Sequence, residues 1–168
     1  MDRIDLYQAH FVRDKEDYKR VTGPGGALEG LRKLKEQGAI GHFGMTSHSL
    51  DLLELVINDG LFETIMVCYS FIEPLAEEKI FPKALEKNIG IIAMKSFSGG
   101  VIDNAYLAIK YALSQPGIVL IPGVDNISDF DKNWAVFEKG EWNLTNEEKK
   151  QIEDIRKSID KVFCRRCD

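Results

Sequence analysis

The sequence predicts an α/β protein in which helices cover a parallel β-sheet. Five short apolar runs recur along its 168 residues, and each is followed by a segment with helical periodicity. The run at 64–69 is apolar on both faces, which is typical of parallel strands buried between helices. The runs begin roughly 24–36 residues apart, a spacing typical of repeated βα units.

The five predicted strands are short, and Gly41 and Gly44 interrupt the second of them. They cover residues 4–7, 40–45, 64–69, 89–94 and 118–121.

Six helices are predicted between and after these strands. Gly38 ends the first of them, Ser49 or Asp51 caps the second, and a capping box of Thr145 with Glu148 begins the last. Their inner faces are predicted from apolar residues at helical spacing. In chain order these are Ala27, Leu28, Leu31 and Leu34; Leu52, Leu53, Val56 and Ile57; Ile80, Phe81, Ala84 and Leu85; Ala108, Tyr111 and Ala112; Phe130, Trp134 and Phe137; and Ile152, Ile155 and Ile159.

Five βα units leave two architectures open. One is a complete, open, doubly wound sheet, which the length favours, and the other is part of a (β/α)8 barrel, which usually needs about 250 residues. The open sheet would gain support from a glycine-rich phosphate loop directly after the first strand. The segment 23–26 (Gly-Pro-Gly-Gly) lies well after that strand and lacks the GxGxxG spacing, so we interpret it as a flexible loop before a helix.

Composition excludes several classes of protein. A net charge of −5, with basic residues scattered among acids, argues against a nucleic-acid-binding surface. No apolar stretch approaches the roughly 18–20 residues of a membrane helix. The first residues lack a signal-peptide pattern, and three cysteines do not make a secreted disulfide framework. We therefore expect a cytoplasmic protein with no nucleic-acid or membrane partner.

Polar residues follow four of the predicted strands. His10 ends the first motif, and the others are 44–49 (Gly-Met-Thr-Ser-His-Ser), 94–100 (Met-Lys-Ser-Phe-Ser-Gly-Gly) and 121–126 (Ile-Pro-Gly-Val-Asp-Asn), the last leading to Asn133. Residues just past the carboxyl ends of parallel strands form the ligand site in α/β folds. One histidine at a strand end is more often structural than catalytic, so the hypothesis of a shared site depends on all four motifs.

Together these motifs resemble the aldo-keto reductase family, whose members are (β/α)8 barrels that use a nicotinamide cofactor. The similarity covers essentially the whole chain, through the segments IDLYQAH, GHFGMTSHS, VCYSFIE, IIAMKSFSGG and VLIPGVDNISDFDKNWAVF. The resemblance implies a partial TIM (β/α)8 barrel of about five βα units, corresponding to strands 4 to 8, plus a C-terminal helix. Residues 1–143 would form the partial barrel, 144–162 the helix and 163–168 the start of a truncated cysteine-rich tail.

The resemblance also implies roles for individual residues. His10 would be the catalytic histidine that hydrogen-bonds the carbonyl oxygen of a small-molecule substrate. The cofactor-binding residues would be Thr46, Ser47, Tyr69, Met94, Lys95, Gly123, Val124, Asp125 and Asn133, with Thr46 and Ser47 at the nicotinamide carboxamide. The cofactor would be NADP or NAD. Asp129 stands about where many members carry an arginine for the 2′-phosphate, which weakens the case for NADP.

In the family a tyrosine protonates the carbonyl oxygen, and a lysine paired with an aspartate lowers the tyrosine pKa. None of these three residues is found at a matching place in this chain, and neither Tyr7, Tyr18 nor Lys95 can take their roles. The sequence therefore predicts NAD(P)H-dependent carbonyl reduction, carried here by an incomplete C-terminal portion. The alternative is a non-catalytic fragment or a nucleotide-binding α/β module; a self-contained module would have central strands out of sequential order.

Two further expectations concern the ends of this partial barrel. Five of eight strands would leave open sheet edges, so we expect poor folding, self-association or loss of activity. Cys164 and Cys167 resemble the start of a ferredoxin-like tail, and they would bind a 4Fe-4S cluster only if a longer chain supplied the remaining ligands. His42 and His48 are interpreted as non-ligands, and Cys68 as a core residue.

Overall fold

The computed structural model describes residues 3–159, which contain five strands and eight α-helices. In chain order they are β1 (Ile4–Ala9), α1 (Lys15–Thr22), α2 (Ala27–Glu36), β2 (Ile40–Thr46), α3 (Leu50–Asp59), β3 (Thr64–Cys68), α4 (Ala76–Lys79), α5 (Phe81–Glu86), β4 (Gly90–Met94), α6 (Ala105–Leu113), β5 (Ile118–Leu120), α7 (Ile127–Lys139) and α8 (Asn146–Ser158). Within this range no helix is both long and apolar enough to cross a membrane.

The strands form one parallel sheet in which each strand is hydrogen-bonded to the next in the chain, in the order β1-β2-β3-β4-β5. In the β1–β2 pair Ala9 lies opposite Met45, and in the β2–β3 pair Gly44 lies opposite Thr64. This sequential order confirms the predicted partial barrel. A self-contained module with non-sequential central strands is contradicted.

The described chain divides into two units. The first runs through Val67 and includes Ala76–Ile92, and the second comprises Cys68–Leu75 and the chain from Ala93 onward.

The most deeply buried side chains of the first unit include several from α3 and from the strands. The predicted inner face of α3, Leu52, Leu53, Val56 and Ile57, is at most 2% exposed, as are Met45 and Ile65 of the strands. Ser49 is the residue that caps α3. On α2 the predicted inner residues Leu28 and Leu31 are buried, whereas Leu34 is 39% exposed.

Glycine is required at position 44 of β2. A methyl group there would lie 1.9 Å from the Thr64 hydroxyl oxygen and 2.8 Å from the Thr64 carbonyl oxygen. Because β2 and β3 are neighbours in the sheet, neither backbone can retreat without breaking their pairing. The Thr64 hydroxyl is buried and has no hydrogen-bond partner among the described residues.

Helix α1, which contains Tyr18, was not predicted. Asp14 caps the helix by accepting hydrogen bonds from the backbone of Glu16 and Asp17. Tyr18 is 5% exposed, and its hydroxyl donates to Asp59 over 2.9 Å. Burial, reinforced by this carboxylate, raises the pKa of the phenol. A two-turn helix with one inward residue carries too little apolar periodicity to be recognised in a sequence.

The second unit contains α6, α7 and α8. The apolar side of α7 differs from the prediction, since Phe130 and Trp134 are 52% and 53% exposed and stack on each other with centroids 6.1 Å apart. The buried residues of α7 are Asn133 and Val136. The predicted capping box of α8 is present, and its Ile152 is buried.

A buried ion pair joins α6 to α8. The Lys110 ammonium donates to both carboxylate oxygens of Glu148, at 2.7 and 2.9 Å, and both side chains are at most 13% exposed. The Tyr106 hydroxyl and the Thr145 backbone N–H also donate to Glu148. Burial alone would raise the pKa of Glu148, but these donors outweigh it and lower the pKa to about 2.

We predict that Glu148→Gln destabilises the chain and flattens its acid response. Removing one charge of a buried pair leaves the other uncompensated, which costs about 3 kcal/mol. The folded pKa of Glu148 lies below the ordinary 4.5, so its contribution is complete above that pH and is lost as pH falls toward about 2. Urea unfolding across this acid range measures both effects.

Glu147→Gln, a change at the exposed neighbour of Glu148 in the same helical turn, is the matched control. Equal losses of unfolding free energy in the two variants would contradict a special role for the Lys110–Glu148 pair.

Candidate functional site

A cavity of about 690 Å³ opens in the second unit beside the loops that follow β4 and β5. It is lined by Met94, Lys95, Phe97, Gly99, Gly100, Ile102, Asp103, Ala105, Ile121, Gly123, Asp125, Asp129, Lys132 and Asn133. The structure thus brings together five of the predicted site residues: Met94, Lys95, Gly123, Asp125 and Asn133.

The loop after β4 has an uncommon backbone. Lys95 and Ser98 adopt φ values of 60° and 48°, a region that L-residues other than glycine seldom occupy, and Gly99 and Gly100 follow at 69° and 89°. The Ser98 hydroxyl shares a 2.7 Å hydrogen bond with the buried Ser70 hydroxyl, which fixes the loop from inside. Non-glycine residues keep such conformations only where their surroundings determine them, as they do at many ligand sites.

The same loop contains a buried hydroxyl that has no partner among the described residues. Ser96 is 0% exposed, and its hydroxyl oxygen makes no hydrogen bond to any residue in the described range. Its chain neighbours Lys95 and Phe97 both line the cavity. An unsatisfied buried polar group costs free energy, and sites that bind a ligand are one place where proteins retain one.

The cavity carries both signs of charge. Lys95 and Lys132 supply ammonium groups, and Asp103, Asp125 and Asp129 supply carboxylates. Ammonium groups bind phosphate oxygens as point charges, whereas carboxylates accept hydrogen bonds from sugar hydroxyls. The donor set therefore suits a ligand that has both phosphates and hydroxyls.

Asp129 is held in place at the start of α7. Its carboxylate accepts a 2.8 Å hydrogen bond from the side-chain amide of Asn126, the residue that caps the helix, and lies 3.6 Å from the Lys132 ammonium. Asp129, Lys132 and Asn133 share one face of the helix because residues three and four apart are neighbours. The contributions of Lys132 and Asp103 to the cavity were not predicted, although for Lys132 this helical spacing was a usable signal.

Asn133 connects α7 to the loop after β5. It is 4% exposed, and its amide donates to the Gly123 carbonyl over 3.1 Å.

Two other predicted residues do not line the cavity. Val124 is 46% exposed, and Tyr69 is fully buried with its ring 5.7 Å from that of Tyr111.

Three predicted residues belong to the first unit, where His10 follows β1, Thr46 ends β2 and Ser47 follows it. The pairing of Ala9 with Met45 places His10 next to Thr46 at the carboxyl ends of these strands. His10 is exposed, whereas Thr46 and Ser47 are 3% and 0% exposed. The Ser47 hydroxyl accepts a 3.1 Å hydrogen bond from the Ser49 backbone, so it also shapes the start of α3.

Residues 3–159 contain no group of three or more His, Cys, Asp or Glu side chains arranged to hold a metal ion. The His42 ring contacts the Glu63 carboxylate over 2.6 Å. Cys164 and Cys167 lie outside the described residues.

Residues 1–107 match the family model described as "Aldo/keto reductase family". No curated protein sequence matches the chain.

Several solved structures are similar to this chain. Aldo-keto reductase AKR11C1 from Bacillus halodurans matches in its apo form at 21% identity and TM-score 0.71, over 92% of this chain and 62% of that one. Its holo form matches at 20% identity and TM-score 0.72, over 92% and 59%. The glycerol dehydrogenase AKR11B4 from Gluconobacter oxydans matches at 20% identity and TM-score 0.69, over 98% and 63%. At these identities the likeness shows the fold alone, and the chain spans about 60% of the length of these proteins.

Proposed function

The chain belongs to the aldo/keto reductase family, and we propose that it carries the substrate-orienting and much of the cofactor-binding part of an NAD(P)H-dependent carbonyl reductase. One observation carries the proposal: five residues predicted to contact the cofactor, from the end of β4, the loops after β4 and β5, and α7, line the same cavity. The substrate class is a small-molecule carbonyl compound.

The residues of the cavity fit the phosphates and ribose hydroxyls of a nicotinamide dinucleotide. When bound, the reduced cofactor supplies the hydride for carbonyl reduction. Lys95 and Lys132 are the residues that would neutralise its phosphates, and Asp125 and Asp129 those that would accept hydrogen bonds from its ribose hydroxyls. The glycine turn at 99–100, which lines the cavity, supports this fit.

His10 is proposed to orient the substrate. Its imidazole is exposed just past β1, where an N–H can donate to a carbonyl oxygen that gains negative charge during reduction. Thr46 and Ser47 remain the proposed contacts for the nicotinamide carboxamide. Tyr69 and Val124 remain proposed cofactor contacts that await a binding experiment.

The cavity charge favours NAD over NADP within this proposal. Three carboxylates and two ammonium groups line the cavity, and the Asp129 carboxylate lies 3.6 Å from the Lys132 ammonium. A 2′-phosphate would bring further negative charge into a lining that is already negative on balance, whereas a 2′-hydroxyl can donate to a carboxylate.

We also propose a cytoplasmic setting for this activity, and we keep the iron–sulfur cluster as a proposal for a longer chain. Cys164 and Cys167 provide two thiolates, and a four-ligand cluster requires two more.

Calorimetric titration of the 168-residue chain with NAD⁺ and NADP⁺ tests the cofactor site. We expect tighter binding of NAD⁺. Lys95→Met should weaken binding of both cofactors about tenfold, because a charge-assisted contact to phosphate is worth about 1.5 kcal/mol or more. Asp129→Asn should improve NADP⁺ binding more than NAD⁺ binding, since it removes a repelling charge.

Lys150→Met on α8, an exposed lysine that does not line the cavity, is the control and should change neither affinity. If the parent chain binds neither cofactor, the proposed cofactor site is contradicted.

Turnover separates the enzyme from its alternative, a chain that binds cofactor without catalysis. We expect the purified 168-residue chain to show no consumption of NADH or NADPH with a small aldehyde, because the family's proton-donating tyrosine and its lysine and aspartate have no counterpart in it. Absorbance of the reduced cofactor measures this. Detectable turnover that His10→Gln abolishes would contradict the expected inactivity and assign the catalytic role to His10.

We further propose that this chain self-associates through the outer edge of β1. That strand is first in the sheet order, so its second edge has no strand partner among residues 3–159, and Ile4 and Tyr7 are 41% and 46% exposed. Tyr7→Lys should reduce association, because a charged side chain on an edge strand opposes pairing with another chain. Sedimentation velocity as a function of concentration measures it.

Phe130→Ser is the comparison, since it removes an exposed ring that belongs to α7 and not to β1. Dissociation by Phe130→Ser, with no effect of Tyr7→Lys, would assign the association to α7 instead.

A further inference from the structure

The turn that follows His10 has an unusual backbone. Phe11 adopts a φ of 53°, in the left-handed region that a bulky aromatic residue seldom occupies. A residue in this conformation is retained when its surroundings hold it there, and such positions concentrate at functional sites. The conformation of Phe11 sets the direction in which the chain leaves His10.

Thr46 holds this turn with two hydrogen bonds. Its hydroxyl oxygen accepts from the Phe11 backbone N–H over 2.6 Å, and its carbonyl oxygen accepts from the Val12 backbone N–H over 2.9 Å. Both Thr46 and Val12 are 3% exposed, so water does not compete freely for these bonds. One residue at the end of β2 therefore fixes the two amides that follow His10.

A ring contact supports the same turn. The Phe11 ring meets the His48 ring edge-on, with centroids 4.9 Å apart, and His48 lies two residues beyond Thr46. The loop after β2 thus holds the loop after β1 through both backbone and side-chain contacts. The neighbouring His10 ring lies 6.1 Å from that of Phe11.

We propose that Thr46 is a positioning residue for His10, acting through the strained Phe11 backbone. A hydroxyl has one donor proton and two acceptor lone pairs. With one lone pair occupied by the Phe11 amide, the Thr46 proton is still able to donate to an amide oxygen such as that of a carboxamide. The same hydroxyl then serves the histidine and the cofactor together. The link to catalysis rests on the proposed function, whereas the positioning of His10 does not.

Two substitutions separate the hydroxyl from the shape of the side chain. Thr46→Ser keeps the acceptor oxygen, whereas Thr46→Val keeps the branched shape and removes it. NMR of the chain labelled with ¹⁵N and ¹³C reports the hydrogen exchange of the Phe11 amide and the imidazole signals of His10. His42, whose ring contacts Glu63, is the internal reference.

In the parent chain and in Thr46→Ser we expect a protected Phe11 amide and the same His10 signals. In Thr46→Val we expect this amide to exchange at least about tenfold faster and the His10 signals to move, with those of His42 unchanged. A general loss of stability would affect both histidines, so this pattern identifies positioning.

The proposal is overturned if Thr46→Val leaves the His10 signals where they are in the parent chain. If Thr46→Val does not fold, the other two proteins decide, because an unprotected Phe11 amide in either overturns the proposal. The expected NMR pattern without any binding of NAD⁺ or NADP⁺ would uphold the positioning role and contradict the proposed function instead.

Discussion

Each strand of this protein pairs with the strand that follows it in the chain, and this parallel, sequential pairing decides where its polar side chains lie. The register that sets Ala9 opposite Met45 brings His10 next to Thr46, although the two residues are far apart in sequence. In the second unit the hydrogen bond from Ile121 to Ala93 plays the equivalent part, since it aligns the ends of β5 and β4 beside one cavity. The positions of these polar side chains thus follow from hydrogen bonds between the backbones of neighbouring strands.

The site loops are stabilised from within by polar contacts that water does not reach freely. Ser70 holds Ser98, Asn133 holds the Gly123 carbonyl, and Thr46 holds Phe11. Each is a small hydroxyl or amide that supports a loop in a conformation that apolar packing alone would not select. Lys110 and Glu148 serve a different purpose, since their buried ion pair joins two helices by charge.

The sequence was sufficient for most of the regular elements of the fold and for part of the site. Strands that are apolar on both faces, the cap at Ser49 and the capping box of α8 each have a local signal, and the structure contains all of them. Helix α1 was not predicted, because Tyr18 is its one buried residue and a single residue gives no apolar periodicity. Phe130 and Trp134 were wrongly predicted to face inward, because their spacing is that of a buried helical face.

What the sequence could not provide were contacts between residues distant in the chain. The hydroxyl of Thr46 matched a family motif for cofactor contact, yet its bond to the Phe11 amide depends on strand register and on a left-handed backbone. The charge balance of the cavity likewise required the structure, since Asp103 belongs to no motif. Local patterns predicted which residues are polar at strand ends, and the fold determined which of them meet.

The close approach of Gly44 to Thr64 has a consequence for how this family member can change over evolutionary time. With no room for a methyl group between the two strands, position 44 cannot accept even alanine while a threonine stands at 64. The Thr64 carbonyl oxygen would also lie 2.8 Å from that methyl group, so a smaller side chain at 64 would not make room for it. Glycine is therefore expected to persist at position 44 among descendants, whichever residue stands at 64. An invariant glycine at this position would then record the packing of the sheet.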